Sequence, residues 1–135
     1  MEPGPAVVGF GLDVVAVARI ARILEGGAGT ARRFLTRCFT EREQLYCDGC
    51  RDRATRYAAR FAAKEATVKA LGAPPGVRWT DIEVVRDEGA PRLVLSGAAQ
   101  EACALRSVGR IHLSLTHDAG IAVAGVVLEG SGRRP

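Results

Sequence analysis

The sequence has few lysines and few aromatic residues, and it has no long apolar run. Lys64 and Lys69 are the only lysines, and the other 17 basic residues are all arginine. Aromatic residues make up 5% of the chain, so the core must be built mainly from Ala, Val, Leu and Ile. This scarcity argues against a nucleic-acid partner, because single strands bind by stacking their bases on aromatic rings. The short apolar runs predict neither a transmembrane helix nor a membrane partner.

The length and the amino terminus indicate one small cytoplasmic domain. A chain of 135 residues can bury a single core, predicted here for residues 6–128, and we expect a polar, disordered tail over residues 129–135. The segment Met1–Pro5 has neither the basic region nor the apolar region of a secretory signal peptide. We therefore expect a cytoplasmic protein with one domain over residues 1–135.

The four cysteines, Cys38, Cys47, Cys50 and Cys103, do not form a strong metal or redox motif. Cys47 and Cys50 are a C-x-x-C pair, but the pair follows a predicted helix, whereas a thioredoxin-type motif follows a strand. A zinc site would need two further ligands at suitable spacing. Reduced thiols are the preferred interpretation, with a structural metal or a disulfide as alternatives.

An arginine-rich segment in the first half of the chain indicates an acidic partner. Between Ala16 and Arg60 the chain has ten arginines and five acidic residues, while the net charge of the whole chain is +4. Phosphates or an acidic protein surface would match this local excess of positive charge. The alternative is an arginine-rich surface that only keeps the protein in solution.

Residues Ala6–Val15 are predicted to form a strand that carries the first candidate site residue. Apolar side chains alternate there with Gly9, Gly11 and Asp13. The two glycines leave one face of the strand bare, so another backbone or a ligand could approach closely. Asp13 lies on the same face near the end of the strand, where its alternative role is to cap the following helix.

Helices are predicted for the next part of the chain and mainly strands for the remainder. Periodicity and capping residues predict helices over Ala16–Glu25, over Ala31–Cys38 with Thr30 as its cap, from a Thr40–Glu43 capping box onward, and over Ala54–Leu71. Alternation and turns predict a hairpin of Thr80–Arg86 with Pro91–Leu95 around a turn at residues 87–89, a helix Gly97–Leu105, and a hairpin of Arg110–His117 with Ile121–Leu128. This order predicts an α+β fold, with helices packed on a largely antiparallel sheet.

The predicted helix segment Arg60–Leu71 contains both lysines and a glutamate between them. The simplest interpretation of Glu65 and Lys69 is an exposed i,i+4 ion pair. Asp13 and His117, each near the end of a predicted strand, could instead join Glu65 in one site. Two carboxylates beside lysines suit Mg²⁺ that holds phosphates, because the lysines neutralise the remaining charge. Such a site would catalyse a phosphoryl-type transfer.

Three segments resemble the motifs of a known enzyme family. They are Gly9-Phe10-Gly11-Leu12-Asp13, Arg60-Phe61-Ala62-Ala63-Lys64-Glu65-Ala66 with Lys69, and Leu113-Ser114-Leu115-Thr116-His117-Asp118. In order and spacing they resemble the short, single-domain, holo-acyl-carrier-protein-synthase type of 4′-phosphopantetheinyl transferase. The similarity runs from about Val7 to Leu128. One departure is Thr116, where the family frequently has serine, and a hydroxyl is retained.

This resemblance implies an activity and a catalytic set. Such enzymes move the 4′-phosphopantetheine arm of coenzyme A to a serine hydroxyl of a carrier protein, with Mg²⁺ as the metal, and release adenosine 3′,5′-bisphosphate. By resemblance, Asp13 and Glu65 are the metal ligands, and Lys69 completes the catalytic set. Glu65 is also the candidate base for the proton of the serine hydroxyl.

The resemblance also implies substrate contacts, a docking surface and an assembly. Coenzyme A is expected to contact Arg60, Lys64, Lys69 and His117, with Lys69 at the pyrophosphate and with Arg60 and His117 near the 3′-phosphate. An acidic acyl or peptidyl carrier protein is expected to dock on Arg19, Arg33 and Arg37. Family members are commonly homotrimers with active sites between subunits, which would account for the glycine-lined face of the first strand.

Two other functions are compatible with the same residues. The chain could bind coenzyme A or a nucleotide without transferring anything, or it could be an arginine-rich module that docks on acidic proteins. The presence of Asp13, Glu65, Lys69 and His117 in matching order favours the enzyme over both alternatives.

Overall fold

A computed structural model describes residues 4–86 and 88–131 and has the helices and strands of an α+β fold. The strands are β1 (Ala6–Ala16), β2 (Ile82–Val85), β3 (Arg92–Leu95), β4 (Val108–Asp118) and β5 (Ile121–Gly130). The helices are α1 (Val17–Glu25), α2 (Ala28–Cys38), α3 (Glu41–Asp48), α4 (Arg53–Ala70) and α5 (Gly97–Leu105). The predicted fold class is confirmed.

The strands form two antiparallel sheets rather than one. In the larger sheet β5 lies between β1 and β4, and in the smaller sheet β2 pairs with β3. Both predicted hairpins are present. Because β1 and β4 both pair with β5, the chain segments that end near Asp13 and His117 belong to the same sheet, two strands apart.

Helix α4 packs directly on the larger sheet, and the glycines of β1 allow this contact. A Cβ atom on Gly11 would lie 1.8 Å from the carbonyl oxygen of Ala66, and a Cβ atom on Gly9 would lie 2.4 Å from that of Ala70. Only glycine tolerates so close an approach of helix and strand backbones. The glycine-lined face is therefore covered by this chain's own helix. The expectation that a neighbouring subunit accounts for it is wrong.

The other face of β1 carries large apolar side chains that the described residues leave uncovered. Phe10, Leu12 and Val14 are 61%, 51% and 55% exposed, and Ile121 on β5 is 41% exposed. The register places Leu12 opposite Gly125 and Val14 opposite Val123, so these residues share one face of the sheet.

Several predicted boundaries differ from the structure. Thr30 is not a helix cap, because α2 already begins at Ala28 with Gly27 as its N-cap residue. Thr80 lies in a 3₁₀ turn over Trp79–Asp81 that precedes β2. Asp13 does not cap α1, whose N-cap residue is Ala16.

The carboxyl-terminal strand is longer than the sequence pattern predicted. Glu129 and Gly130 were expected in a disordered tail, yet both lie in β5, where Glu129 pairs with Val7 and with Arg110. The long neighbours on both sides supply hydrogen bonds that extend the strand past its apolar pattern. Residues 132–135 of the predicted tail and Asp87 of the predicted turn lie outside the described residues.

A search for spanning helices in residues 4–86 and 88–131 found none long and apolar enough to cross a bilayer.

Candidate active site

Asp13 lies on the face of β1 that packs against α4, and its carboxylate is almost entirely buried. Pairing with Ala124 of β5 fixes this orientation, because alternate residues of a strand point to opposite faces. Asp13 Oδ1 accepts a hydrogen bond from Lys69 Nζ at 2.9 Å. Asp13 Oδ2 is buried and has no hydrogen-bond partner among the described residues. Such an oxygen is unfavourable unless a ligand supplies a cation or a donor.

Glu65 reaches the same place from α4, one helical turn before Lys69. Burial raises the pKa of Glu65 to about 6, and two further causes act in the same direction: a protonated Glu65 can donate a hydrogen bond to Asp13, and the two carboxylates repel each other when both are ionised. The positive charges of Arg19 and Lys69 oppose this rise. The structure thus brings Asp13 and Glu65 together, and two like charges so close favour a shared proton or cation.

The residues of this carboxylate pair fit a magnesium ion. Mg²⁺ commonly takes one or two protein carboxylates and completes its octahedral shell with water and phosphate oxygens. Asp13 offers an oxygen that no described residue hydrogen-bonds, and a bound cation would relieve the repulsion that contributes to the raised pKa of Glu65. Over the described residues, no three His, Cys, Asp or Glu side chains cluster closely enough to hold a metal by themselves. A metal ion at this pair would have Asp13 and Glu65 as protein ligands and would need water or phosphate oxygens for its other positions.

Lys69 lies at the open edge of the carboxylate pair. Its Nζ donates to Asp13 Oδ1 and, at 3.1 Å, to the carbonyl oxygen of Leu12, while 56% of the side chain stays exposed. An ammonium group has three N–H donors, and the described residues use two of them, so one is left for a ligand. The position of Lys69 is compatible with its predicted contact to a pyrophosphate.

Lys64 is completely buried, so its predicted contact with coenzyme A is wrong. Its Nζ donates to Glu43 Oε1 at 2.7 Å and to the carbonyl oxygens of Trp79 and Ile82 at 3.0 and 2.5 Å. All three ammonium donors are therefore used inside the fold. Glu43 Oε2 in turn accepts from the backbone N–H of Val84 at 3.0 Å. Burial lowers the pKa of Lys64, and the attraction of Glu43 opposes that shift.

Apart from the carboxylate pair, Arg60 and His117 line a pocket of about 210 Å³, together with Arg56 and Arg86. Arg60 precedes Glu65 by five residues on α4, which corresponds to about 7.5 Å of helix rise. The same spacing places the two side chains about 140° apart around the helix axis, so the pocket and the carboxylate pair lie on different sides of α4. His117 belongs to this pocket and not to the carboxylate pair. Three arginines and a histidine make the pocket suited to an anion.

Sequence reasoning missed Arg56 and Arg86 as members of this pocket. Arg56 stands one helical turn before Arg60, and this i,i+4 spacing could have identified it. Arg86 carries no such signal, because it is brought to the pocket from the end of the small β2–β3 sheet.

The three arginines expected to contact a carrier protein are exposed on α1 and α2. Arg19 is close enough to Glu65 for its charge to lower the pKa of that carboxyl. Arg33 and Arg37 border a groove of about 550 Å³ that Trp79 also lines. The surface is therefore basic, and Arg19 connects it to the carboxylate pair.

The C-x-x-C pair lies at the end of α3 and takes part in packing. All four cysteines are free thiols. Cys47 is buried, and this burial raises its pKa to about 12. Cys50 Sγ donates to the carbonyl oxygen of Tyr46 at 3.3 Å. A buried thiol with so high a pKa is a poor nucleophile and a poor metal ligand.

Sequence comparison relates the chain to one enzyme family. The family model for the 4′-phosphopantetheinyl transferase superfamily matches residues 9–124. A holo-[acyl-carrier-protein] synthase of Anaeromyxobacter sp. (strain K) is 62% identical over 126 residues, which cover 93% of this chain and 98% of that protein. The holo-[acyl-carrier-protein] synthase of Myxococcus xanthus (strain DK1622) is 53% identical over 124 residues, which cover 92% and 96%.

Solved structures agree with the sequence comparison. The holo-ACP-synthase from Plasmodium yoelii matches with a TM-score of 0.80 at 28% identity, covering 96% of this chain and 99% of that one. Helicobacter pylori holo-[acyl-carrier-protein] synthase in complex with coenzyme A matches with a TM-score of 0.74 at 30% identity, covering 88% and 98%. The motifs, the family model and these relatives all extend over nearly the whole chain. The chain therefore belongs to the 4′-phosphopantetheinyl transferase superfamily, within its single-domain holo-[acyl-carrier-protein] synthase group.

Proposed function

We propose that this chain transfers the 4′-phosphopantetheine arm of coenzyme A to a serine hydroxyl of an apo acyl carrier protein and releases adenosine 3′,5′-bisphosphate. One observation carries the proposal: Asp13 and Glu65 form a carboxylate pair with Lys69 at its edge, on the two elements that bear the family's motifs. Relatives that are 62% and 53% identical are named holo-[acyl-carrier-protein] synthase, which supports the same reaction.

Asp13 and Glu65 are the residues that would hold Mg²⁺. When bound there, the ion would neutralise negative charge on the pyrophosphate of coenzyme A. The Oδ2 atom of Asp13 is buried without a hydrogen-bond partner among the described residues, and Asp13 is close enough to Glu65 to raise its pKa, so both carboxylates could bind the same cation.

Lys69 and Glu65 supply the remaining chemistry of the transfer. Lys69 can donate its free N–H to a pyrophosphate oxygen and stabilise the charge that develops on the leaving group. Glu65, with a pKa of about 6, is ionised at neutral pH and can accept the proton of the serine hydroxyl. Phosphoryl transfer depends mainly on such positioning and charge stabilisation.

Arg60 and His117 would bind the 3′-phosphate of coenzyme A in their shared pocket. Arg60 is 2% exposed and forms no ion pair among the described residues, so its charge is available to an anion. Arg60 and Glu65 are five residues apart on α4, which separates them by about 7.5 Å along the helix axis and about 140° around it, so a coenzyme A molecule that contacts both would have to curve around the helix.

The carrier protein would dock on the exposed arginines of α1 and α2. An acidic surface would pair with Arg19, Arg33 and Arg37. Arg19 influences the pKa of Glu65, so a carrier held there would place its serine near the carboxylate pair.

The proposed assembly is a homotrimer in the cytosol. The exposed apolar face of Phe10, Leu12 and Val14 is the surface that neighbouring copies would cover, because soluble chains rarely leave such a continuous apolar patch open. A reducing cytosol would also keep the four free thiols reduced. Leu12→Glu should lower the molar mass in light scattering, and an unchanged mass would contradict this interface.

The proposed reaction has a direct test. Purified protein is incubated with coenzyme A, Mg²⁺ and several apo carrier proteins, and the carriers are analysed by mass spectrometry. The expected result is a mass increase of one phosphopantetheine on a single serine of at least one carrier. If coenzyme A binds but no carrier gains mass, the chain is a binding module and the proposed reaction is wrong.

A further inference from the structure

Arg60 is a buried cation that no acidic side chain neutralises among the described residues. Only 2% of its surface is exposed, and its Nε atom is buried without a hydrogen-bond partner in residues 4–86 and 88–131. A buried charge is normally paired, because removing it from water is unfavourable by several kcal/mol or more. One compensating contact is visible: the guanidinium carbon lies 4.2 Å from the centroid of the Tyr46 ring.

The two arginines that precede Arg60 on α4 differ from it because each is paired with a carboxylate. Arg53 donates to Asp48 Oδ1 at 2.7 Å, and Arg56 donates to Asp52 Oδ1 at 3.1 Å. Each of these arginines thus has a carboxylate partner, whereas Arg60 has an aromatic face. The face of an aromatic ring attracts a cation without carrying a full negative charge. Arg60 can therefore be held in place and still keep its charge for a ligand.

Tyr46 can hold Arg60 because α3 is fastened to the core on both sides of it. Before Tyr46, Glu43 completes the capping box and accepts from buried Lys64 at 2.7 Å. After it, the Tyr57 hydroxyl donates to Asp48 Oδ1 at 2.9 Å. The Cys50 thiol also donates to the carbonyl oxygen of Tyr46. These contacts fix the tyrosine ring over α4, where the guanidinium of Arg60 stacks on it.

We propose that Tyr46 is a positioning residue for recognition of a phosphate monoester, and that it sets the preference for coenzyme A over 3′-dephospho-coenzyme A. The ring orients the Arg60 guanidinium toward the pocket that Arg86 and His117 also line. A carboxylate in the place of Tyr46 would neutralise Arg60 and repel the phosphate. This inference rests on the proposed binding of the 3′-phosphate by Arg60, and it adds the residue that prepares Arg60 for it.

The test compares two variants and two substrates. Tyr46→Leu removes the aromatic face, and Tyr46→Phe keeps it and serves as the matched control. With Tyr46→Leu, the KM for coenzyme A should rise by about 3- to 30-fold, as expected for loss of a cation–π contact. The kcat and the KM for 3′-dephospho-coenzyme A should stay within about twofold of wild type, and Tyr46→Phe should resemble wild type for both substrates.

A structural role alone predicts a different pattern. If Tyr46→Leu leaves the ratio of the KM values for the two substrates unchanged, the inference is overturned. Tyr46→Met, which is unbranched, replaces Tyr46→Leu if the latter fails to fold. Calorimetric binding of the two substrates to each variant gives the same ratio without any turnover. The inference can therefore be tested even if the protein transfers nothing. It is overturned if the wild-type protein binds coenzyme A and 3′-dephospho-coenzyme A equally well.

Discussion

The two lysines of α4 stand five residues apart and differ in burial and in how many of their ammonium donors the fold uses. Lys64 is 0% exposed, and its three ammonium donors are used by Glu43 and two backbone carbonyls. Lys69 is 56% exposed, and it lies beside Asp13, whose second oxygen has no hydrogen-bond partner in the part of the chain that the structure describes. One side of the helix is thus a complete polar network, and the other is an incomplete one. The incomplete side is the one to which we assign substrate binding.

The difference shows that a charged residue in a conspicuous motif need not contact the substrate. A buried charge requires partners that satisfy all its donors, so a fully satisfied Lys64 stabilises the fold. A site for ligands requires donors and acceptors that the protein itself leaves unused, as in the Asp13–Glu65 pair and at Arg60.

The largest expected effect is the loss of stability in Lys64→Met. This variant leaves Glu43 buried without its cation, so the free energy of unfolding should fall by about 3–5 kcal/mol. Urea denaturation followed by circular dichroism measures this loss. The double variant Glu43→Gln with Lys64→Met should recover part of the stability, because the unpaired charge is gone. If the free energy of unfolding falls by less than about 1 kcal/mol and the KM for coenzyme A rises, Lys64 contacts the substrate after all.

Lys69→Met is the matched variant on the open side of α4. It should affect transfer activity more than stability. Its free energy of unfolding should fall less than that of Lys64→Met, by about 1–2 kcal/mol, because the lost ammonium is 56% exposed to water, although the buried Asp13 carboxylate loses its cation. Its kcat/KM for transfer should fall by about 100-fold, because the lost donor stabilises charge in the transition state. Transfer within about threefold of wild type would remove Lys69 from the catalytic set.

The docking surface should show a smaller effect, confined to one substrate. Arg19→Glu with Arg33→Glu should raise the KM for the carrier protein by about tenfold and leave the KM for coenzyme A nearly unchanged. Arg92→Glu with Arg110→Glu makes the same change of charge at exposed positions on β3 and β4, and it serves as the control. Equal effects of the two double variants, or equal effects on both substrates, would contradict the docking assignment.

The smallest expected effect is a pH dependence of stability in metal-free protein. The pKa of Glu65 rises from its ordinary 4.5 to about 6 in the fold, so the folded protein binds this proton more tightly than the unfolded chain. The resulting stabilisation is complete below pH 4.5 and is lost as the pH rises through about 6. Wild type should therefore lose stability relative to Glu65→Gln over this range, and the difference should be constant above it. Thermal unfolding of both proteins in the presence of a chelator measures the difference in stability. A difference that does not change with pH would contradict the raised pKa of Glu65 beside Asp13.

Local sequence patterns predicted most of the fold correctly. The alternation in β1, the Thr40–Glu43 capping box and the two hairpins depend on neighbours in sequence, and the structure confirms them. The start of α2 and the end of β5 could not be predicted from local sequence patterns. Residues Ala28 and Gly29 join a helix despite the glycine-rich pattern, and Glu129 stays in a strand because two long strands pair with it.

The site was predictable in its residue types and less so in its contacts. Asp13, Glu65 and Lys69 were found from their motifs, and the structure places them side by side. The role of Lys64 was not predictable, because Glu43 reaches it across 21 positions of the chain and looked like a capping residue only. Likewise, no sequence spacing connects Arg86 with the pocket at Arg60, since only the folded β2 brings it there.

The most direct test of the carboxylate site is the activity of Glu65→Gln. The variant, coenzyme A, Mg²⁺ and an apo carrier protein that wild type modifies are incubated together, and the mass of the carrier is measured over time. Because the change removes a proposed metal ligand and base while keeping the shape of the side chain, we expect the rate to fall by about 10³-fold or more. The thermal midpoint of the variant should equal or exceed that of metal-free wild type. Transfer at the wild-type rate by a folded Glu65→Gln protein would contradict the placement of the active site at Asp13 and Glu65.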